Sequence, residues 1–248
     1  MNYIGIDIGS TCAKTVVLNE KKELILEFVQ PTGWSSVDTA EEIRQKLEFA
    51  GINLSNESSH CVATGYGRIS VPYADKTVTE ITCHALGAVH LFQHPDLTVI
   101  DIGGQDTKII QIEQGFVKDF IMNDKCAAGT GRFLEVMANT LSLRPNEMFD
   151  LARLGSDTTI SSMCTVFAES EVIGLIGKGE PKENIAYAVV NSTIRKVAAQ
   201  VSRMNGEMFT FCLTGGLCEC DYIREALSKE LGKDVFSCPD ARYAGAIG

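Results

Sequence analysis

The chain repeats itself. Residues 6–18 read IDIGSTCAKTVVL and residues 100–112 read IDIGGQDTKIIQI. Asp7 matches Asp101, Gly9 matches Gly103 and Lys14 matches Lys108, each displaced by 101 − 7 = 94 positions. A duplication of this kind constrains the fold more than any composition figure, because both copies must adopt the same supersecondary unit. In the first copy, β-rich runs at 3–8, 14–18 and 23–29 are separated by a glycine turn at 9–11 and a polar turn at 19–22. In the second, runs at 97–102, 107–112 and 116–122 are separated by Gly103-Gly104 and by Glu113-Gln114-Gly115. The segments around the copies are α/β in character. Apolar residues at Val37, Ala40, Ile43, Leu47 and Ala50 predict a helix over 36–50. A strand at 60–64 closes on Gly65-Tyr66-Gly67, and a helix at 79–92 turns Ile81, Ala85, Ala88, Val89 and Phe92 inward. After the second copy come helices near 130–142, 145–154, 166–178 and 182–204, then a strand at 208–213. A helix at 219–231, a strand near 235–237 and a last helical turn at 243–248 complete the reading. The expected organisation is two halves, 1–93 and 94–248, with the C-terminal end packed back on the first half.

Charge narrows the function. Lys and Arg number 22 against 32 Asp and Glu, a formal charge of −10. A nucleic-acid or anionic-membrane binder needs a basic face, so neither partner is expected. No run of about 18 uncharged apolar residues predicts a membrane span. The N-terminal MNYIGIDIGS has no basic n-region and enters a strand directly, so the expected compartment is the cytoplasm. Nine cysteines in a reducing compartment do not make a disulfide framework.

Three glycine turns carry the chemistry. A strand ending in Asp-x-Gly brings a carboxylate next to a turn whose amides can approach an anion without a Cβ in the way. Asp7 and Asp101 occupy that place, suited to Mg²⁺. Gly9, Ser10 and Thr11 from one copy, and Gly103, Gly104 and Gln105 from the other, offer donors to phosphates. The third turn, Thr214-Gly215-Gly216, lies between a strand and a helix and suits an adenosine. Lys14 and Lys108, on second strands, admit two readings: a solvated strand lysine or a phosphate contact. The arrangement resembles the superfamily of actin, chaperone ATPases and sugar kinases, which implies two ribonuclease-H-like halves with ATP between them. No Walker-type G-x-x-x-x-G-K-[ST] is present.

Among the cysteines, Cys12, Cys61, Cys83 and Cys238 read as packed thiols. Cys218 and Cys220, with Cys212 nearby, lack further ligands at zinc spacing. The four histidines lie within 60–94 without a ligand pattern and read as ordinary surface or core residues. Cys126, in NDKCAAGTGRFLE, and Cys164, in SSMCTVFAESE, each stand just before a helix, where a positive helix end favours anionic ligands. From the residues alone two readings stand: two buried thiols, or half of a four-thiolate set completed by a second copy.

CAAGTGRFLE and CTVFAESEV, with DIGST at the start and DIGGQDTK between, are similar to the activators of 2-hydroxyacyl-CoA dehydratases and to benzoyl-CoA reductase ATPase subunits. That resemblance spans the whole chain. It implies a homodimer sharing one [4Fe–4S] cluster, with Cys126 and Cys164 at the ligand positions. It implies ATP/ADP and Mg²⁺ as further cofactors, with nucleotide contacts over Gly9, Ser10, Thr11, Cys12, Ala13 and Lys14. Further contacts are implied at Gly103, Gly104, Gln105 and Asp106, and at Gly215, Gly216 and Arg242, with Asp7 and Asp101 catalytic. The implied reaction is ATP-driven electron transfer to an iron–sulfur dehydratase, with ferredoxin or flavodoxin as donor. Two positions depart from the pattern: Cys12 replaces a smaller residue, and Arg242 stands where Gln is more usual. A sugar-type kinase and a non-redox nucleotide switch are the alternatives from the same superfamily.

Overall fold

A computed structural model describes residues 1–54, 58–161, 164–204 and 209–248. The chain divides into two compact units. The first comprises Met1–Leu97, Ile112–Lys118 and Asp240–Gly248; the second comprises Thr98–Gln111 and Asp119–Pro239.

The first unit begins with the strands of the first repeat copy, β1 (Asn2–Ile8), β2 (Cys12–Leu18) and β3 (Leu24–Pro31). Helix α1 (Ser36–Phe49) follows, started by the Ser35 hydroxyl accepting from the Asp38 N–H, a standard N-cap. Then come β4 (Ser59–Thr64), the short β5 (Lys76–Thr77) and α2 (Glu80–Phe92). The sheet order is β3-β2-β1-β4-β5. β1 pairs antiparallel with β2 and parallel with β4, so it is central, and Ile4, Ile6 and Ile8 are all buried. Ala40, Ile43 and Leu47 of α1 join that core. Val37 and Ala50, expected to point inward, are exposed; Thr39 is buried instead and donates to the Thr32 and Ser35 carbonyls.

The expected face of α2 is also shifted. Cys83, His84, Ala85, Gly87 and Ala88 are buried, whereas Ile81, Val89 and Phe92 are only half-buried. The cause is a close backbone approach. The chain ends in α8 (Ala244–Ile247), which packs on α2 and β1. A Cβ on Gly87 would overlap the Ala244 carbonyl, and one on Gly5 would overlap that of Ala246. Small residues therefore face the contact, and larger apolar ones are displaced to its rim.

The second sheet is built on β6 (Leu97–Ile102), β7 (Thr107–Glu113) and β8 (Phe116–Asn123), the strands of the second copy. Every residue of β6 and all but the last of β7 are buried, as befits strands covered on both faces. Four helices follow: α3 (Gly131–Thr140), α4 (Pro145–Ala152), α5 (Thr165–Gly177) and α6 (Lys182–Val201). The strand expected at 208–213 has its first residue, Met208, outside the described residues. The observed strand β9 (Thr210–Gly215) runs on into the third glycine turn, followed by α7 (Asp221–Leu231) and β10 (Val235–Phe236). The order is β10-β9-β6-β7-β8. In α6 ten side chains are buried, which makes it the second unit's main internal helix. By contrast α5 buries Ala168 and Val172, while Val166, Phe167, Ile173 and Ile176 are exposed. Among the described residues no helix is long and apolar enough to cross a membrane.

Candidate functional site

In each unit the Asp-x-Gly turn is assembled the same way. β1 ends with Asp7, 1% exposed, and the Gly9 N–H closes the turn on the Cys12 carbonyl at 3.1 Å. Thr32 holds the loop from behind: its hydroxyl donates to the Gly9 carbonyl at 2.7 Å and its N–H to the Thr11 carbonyl at 3.0 Å. Asp7 pairs in register with Lys14, whose Nζ lies 3.6 Å from Asp7 Oδ2. Asp7 Oδ1 is buried without a hydrogen-bond partner.

In the second unit the Gly103 N–H closes the turn on the Asp106 carbonyl at 2.9 Å. Lys108, 1% exposed, lies 2.8 Å from Asp106 Oδ1 and 3.4 Å from Asp101 Oδ2. Thr214 donates to Asp101 Oδ1 at 2.8 Å. Both Asp101 oxygens are thus engaged, and the orphaned buried oxygen here is Asp106 Oδ2. For Lys108 the reading as a solvated strand residue is overturned, because it is buried on two aspartates; Lys14 pairs with Asp7 and keeps 18% of its side chain exposed.

The repeat extends further than the sequence reading took it. β4 ends Thr64-Gly65 and β9 ends Thr214-Gly215. Both glycines have left-handed backbones, φ +82° and +84°. A Cβ on Gly65 would lie 2.5 Å from Asp7 Oδ1, and one on Gly215 2.9 Å from Asp101 Oδ1. The next segment then donates back to the first strand: Gly67 N–H to the Ile8 carbonyl at 2.9 Å, Gly216 N–H to the Ile102 carbonyl at 3.2 Å. Thr64 and Gly65 were therefore missed as counterparts of Thr214 and Gly215. The signal was the shared Thr-Gly where the neighbouring strand ends. Ser10 is half-buried and Thr11 exposed at the turn; Cys12 and Ala13 open β2; Gln105 is exposed beside Gly104. Arg242 is half-buried in the short 3₁₀ segment Pro239–Tyr243.

A second missed feature joins the Gly103 turn to Cys126. The first N–H groups of α3 are spent on that turn: Gly131 N–H donates to the Gly103 carbonyl at 2.9 Å and Arg132 N–H to the Gly104 carbonyl at 2.7 Å. Thr107, the residue after Asp106, donates to the Gly129 carbonyl at 2.6 Å. Asn123 braces the same loop, donating to the carbonyls of Cys126 at 2.9 Å and Ala128 at 3.0 Å.

The cysteines fall into groups by exposure. Cys61, Cys83, Cys212 and Cys218 are buried; Cys12, Cys126, Cys220 and Cys238 are intermediate; Cys164 is exposed. Cys12 and Cys238 are thus less enclosed than packed thiols. Burial pushes the Cys61 and Cys212 thiols up to about 12, and raises Cys83 and Cys220 as well. Those four stay protonated at neutral pH and are poor ligands, since the thiolate binds metal. Cys164 sits at the N-cap of α5 with an extended backbone. Ser162 and Met163, in the segment just before it, lie outside the described residues.

Two Asp-x-Gly turns, each closed over by a Thr-Gly from a neighbouring strand, define the class: a duplicated α/β fold of the kind actin-like ATPases and sugar kinases share. The particular family follows from direct comparison. Residues 4–248 match the BadF/BadG/BcrA/BcrD ATPase family, and the chain belongs to it. The (R)-2-hydroxyglutaryl-CoA dehydratase activating ATPase of Acidaminococcus fermentans is 42% identical over 250 residues, covering 99% of this chain and 94% of that protein. The crystal structure of component A of the A. fermentans (R)-2-hydroxyglutaryl-CoA dehydratase superposes with a TM-score of 0.91 at 40% identity, covering 100% of this chain and 95% of that one. The activator of the 2-hydroxyisocaproyl-CoA dehydratase from Clostridium difficile, with bound ADPNP, gives 0.90 at 33% identity, covering 100% and 92%.

Proposed function

We propose that the chain is an ATP-hydrolysing electron-transfer activator of a 2-hydroxyacyl-CoA dehydratase-type iron–sulfur enzyme. In this reading it works in the cytoplasm as a homodimer that shares one [4Fe–4S] cluster and takes its electron from ferredoxin or flavodoxin. The observation that carries it is the hydrogen-bonded run from the Gly103-Gly104 turn through the start of α3 to the Cys126 loop. It ties the second unit's Asp-x-Gly turn to the half-buried Cys126.

The residues fit the groups the reading requires. Asp7 Oδ1 and Asp106 Oδ2 are buried carboxylate oxygens without partners, the hard donors that Mg²⁺ takes. Mg²⁺, when bound, neutralises charge on the transferring phosphate. The Asp101 oxygens are engaged by Lys108 and Thr214, so Asp101 orients that pair, while Asp7 in the first unit and Asp106 in the second each keep one oxygen for a cation. In the first unit Ser10 and Thr11, with Lys14, and in the second Gly104 and Gln105, offer amides and side-chain donors to phosphates. Positioning and charge are what phosphoryl transfer needs, and no covalent nucleophile is required. Gly215, Gly216 and Arg242 hold the nucleoside end.

Cys126 and Cys164 supply two thiolates per chain, and a [4Fe–4S] cluster takes four, so a second copy completes the set. When bound, the cluster supplies one-electron transfer. Val166, Phe167, Ile173 and Ile176 give α5 an exposed apolar side of the kind that subunit contacts cover. Loss of the γ-phosphate alters the load on the Gly103-Gly104 turn, and α3 passes that change to the Cys126 loop.

The test is anaerobic purification with iron and acid-labile sulfide analysis. About four of each per two chains are expected, with a brown absorption band that Cys164→Ser abolishes while nucleotide binding persists. Metal-free dimers, or full cluster content in Cys164→Ser, overturn the reading.

A further inference from the structure

The second unit contains a pocket that belongs to none of the turns described above. It has a volume of about 140 Å³. One wall is Ala128-Gly129, two residues beyond Cys126; another is Ile160-Ser161, three residues before Cys164. The floor is one stripe of α6 and its continuation: Ser192, Arg195, Lys196, Ala199, Gln200 and Arg203. Those positions advance by 3, 1, 3, 1 and 3 residues, a single helical face. On an α6 that is otherwise packed with Ile, Ala and Val, this face carries three cations.

Two observations mark the pocket as a binding site. Among the described residues Arg195, Lys196 and Arg203 enter no ion pair. The chain as a whole carries −10, so three unpaired cations around one hollow are a local inversion of its charge. The second observation is Gln200. It is 4% exposed, and among the described residues its buried Oε1, an acceptor, meets no donor. A buried amide left unsatisfied costs stability, of order 1–3 kcal/mol in general, unless a ligand meets it. Cations near a helix C-terminus are favourable on their own account. That does not explain an unpaired amide buried between them.

We infer that this pocket binds hydrogen phosphate, an oxyanion that keeps a hydroxyl to donate. The guanidinium of Arg195 gives planar paired donors and Lys196 a point charge to its bare oxygens. The phosphate P–O–H donates to Gln200 Oε1, the acceptor left unpartnered, while the Ser192 hydroxyl is spent on the Val189 carbonyl at 2.7 Å. The volume matches a ligand of a few heavy atoms, close to a cavity known to admit benzene. Gly129 is part of the construction. Its backbone has φ +87°, and a Cβ there would come within 2.8 Å of Lys196 Cγ, so the glycine lets the lysine stem lie against the loop. Because the two walls are the approaches to Cys126 and Cys164, an anion bound here braces both cysteine segments at once. The inference stands without the cluster, since every residue named is an ordinary side chain of the second unit.

The experiment is calorimetric titration of the full-length protein, saturated with Mg-ADP so that the nucleotide turns are filled. Inorganic phosphate is the probe in one arm and malonate in the other. One saturable site is expected in the phosphate arm and much weaker binding in the malonate arm, because malonate has no hydroxyl to give Gln200 Oε1. Arg195→Gln and Lys196→Gln, exposed or half-buried changes, should each weaken it by roughly tenfold or more. Gln200→Leu should lose the site and at the same time raise the melting temperature, because it removes the unpaired amide. Amide hydrogen exchange over 127–131 and 159–161 should slow when the anion is added. No saturable phosphate binding, malonate binding as tight as phosphate binding, or binding that Arg195→Gln and Lys196→Gln leave unchanged overturns the inference.

Discussion

One residue difference between the repeat copies separates their two lysines. Position 106 is Asp where position 12 is Cys, so Lys108 lies between two buried carboxylates, whereas Lys14 has one at 3.6 Å and a side chain 18% exposed. Lys108→Met would strand Asp101 and Asp106 as buried charges, and breaking such a set costs about 3–5 kcal/mol. Lys14→Met strands one buried carboxylate, Asp7, from a longer and partly solvated pair, so its cost should be the smaller, about 1–3 kcal/mol. Denaturant midpoints of the two variants check this, and equal losses would refute the asymmetry. The difference was visible in the aligned copies, but its effect was not. Periodicity places a lysine on a strand; only the register of that strand against the next tells which carboxylate it meets. The orphaned oxygens of Asp7 and Asp106 lay beyond the sequence for the same reason, since pattern reports residue type and not hydrogen-bond satisfaction.

At the scale of elements, the duplicated strands were legible because alternation and the Asp-x-Gly turns mark them twice. The helix faces were less so. The inward side of α2 was misassigned because apolar size was taken as the guide, while the contact with α8 selects small residues. Gly87→Ala tests this. The added methyl overlaps the Ala244 carbonyl, so α8 must shift away from α2, and overpacking of this sort costs about 1–3 kcal/mol. Limited proteolysis should then cut within 240–248 faster than in the parent protein. An unchanged cleavage pattern would mean that the contact adjusts without cost. The join between the Gly103 turn and α3 was invisible in sequence because it consists of backbone amides, which every residue possesses.

For the whole molecule, the buried thiols set an alkaline limit on stability. Cys61 and Cys212 are raised by burial from 9.0 to about 12. Below pH 9 both folded and unfolded chains keep these protons, and the stabilisation is complete. Between 9 and 12 the unfolded chain releases them while the folded chain does not, so folding weakens as pH rises. The unfolding free energy measured in reductant should therefore fall on going from about pH 8 to about pH 10, and less steeply in Cys61→Val. A slope unaltered by that substitution would assign the effect elsewhere.

The segment Asp240–Gly248 completes the first unit, and this bears on biogenesis. During synthesis the ribosome delivers residues 1–97 first, but the seam along Gly5 and Gly87 stays open until those distant residues emerge. The unit that is begun first is closed last, after all of the second unit has left the exit tunnel. A stalled or prematurely terminated chain would hence present a half-made N-terminal body to the quality-control proteases, even where its other half had already folded.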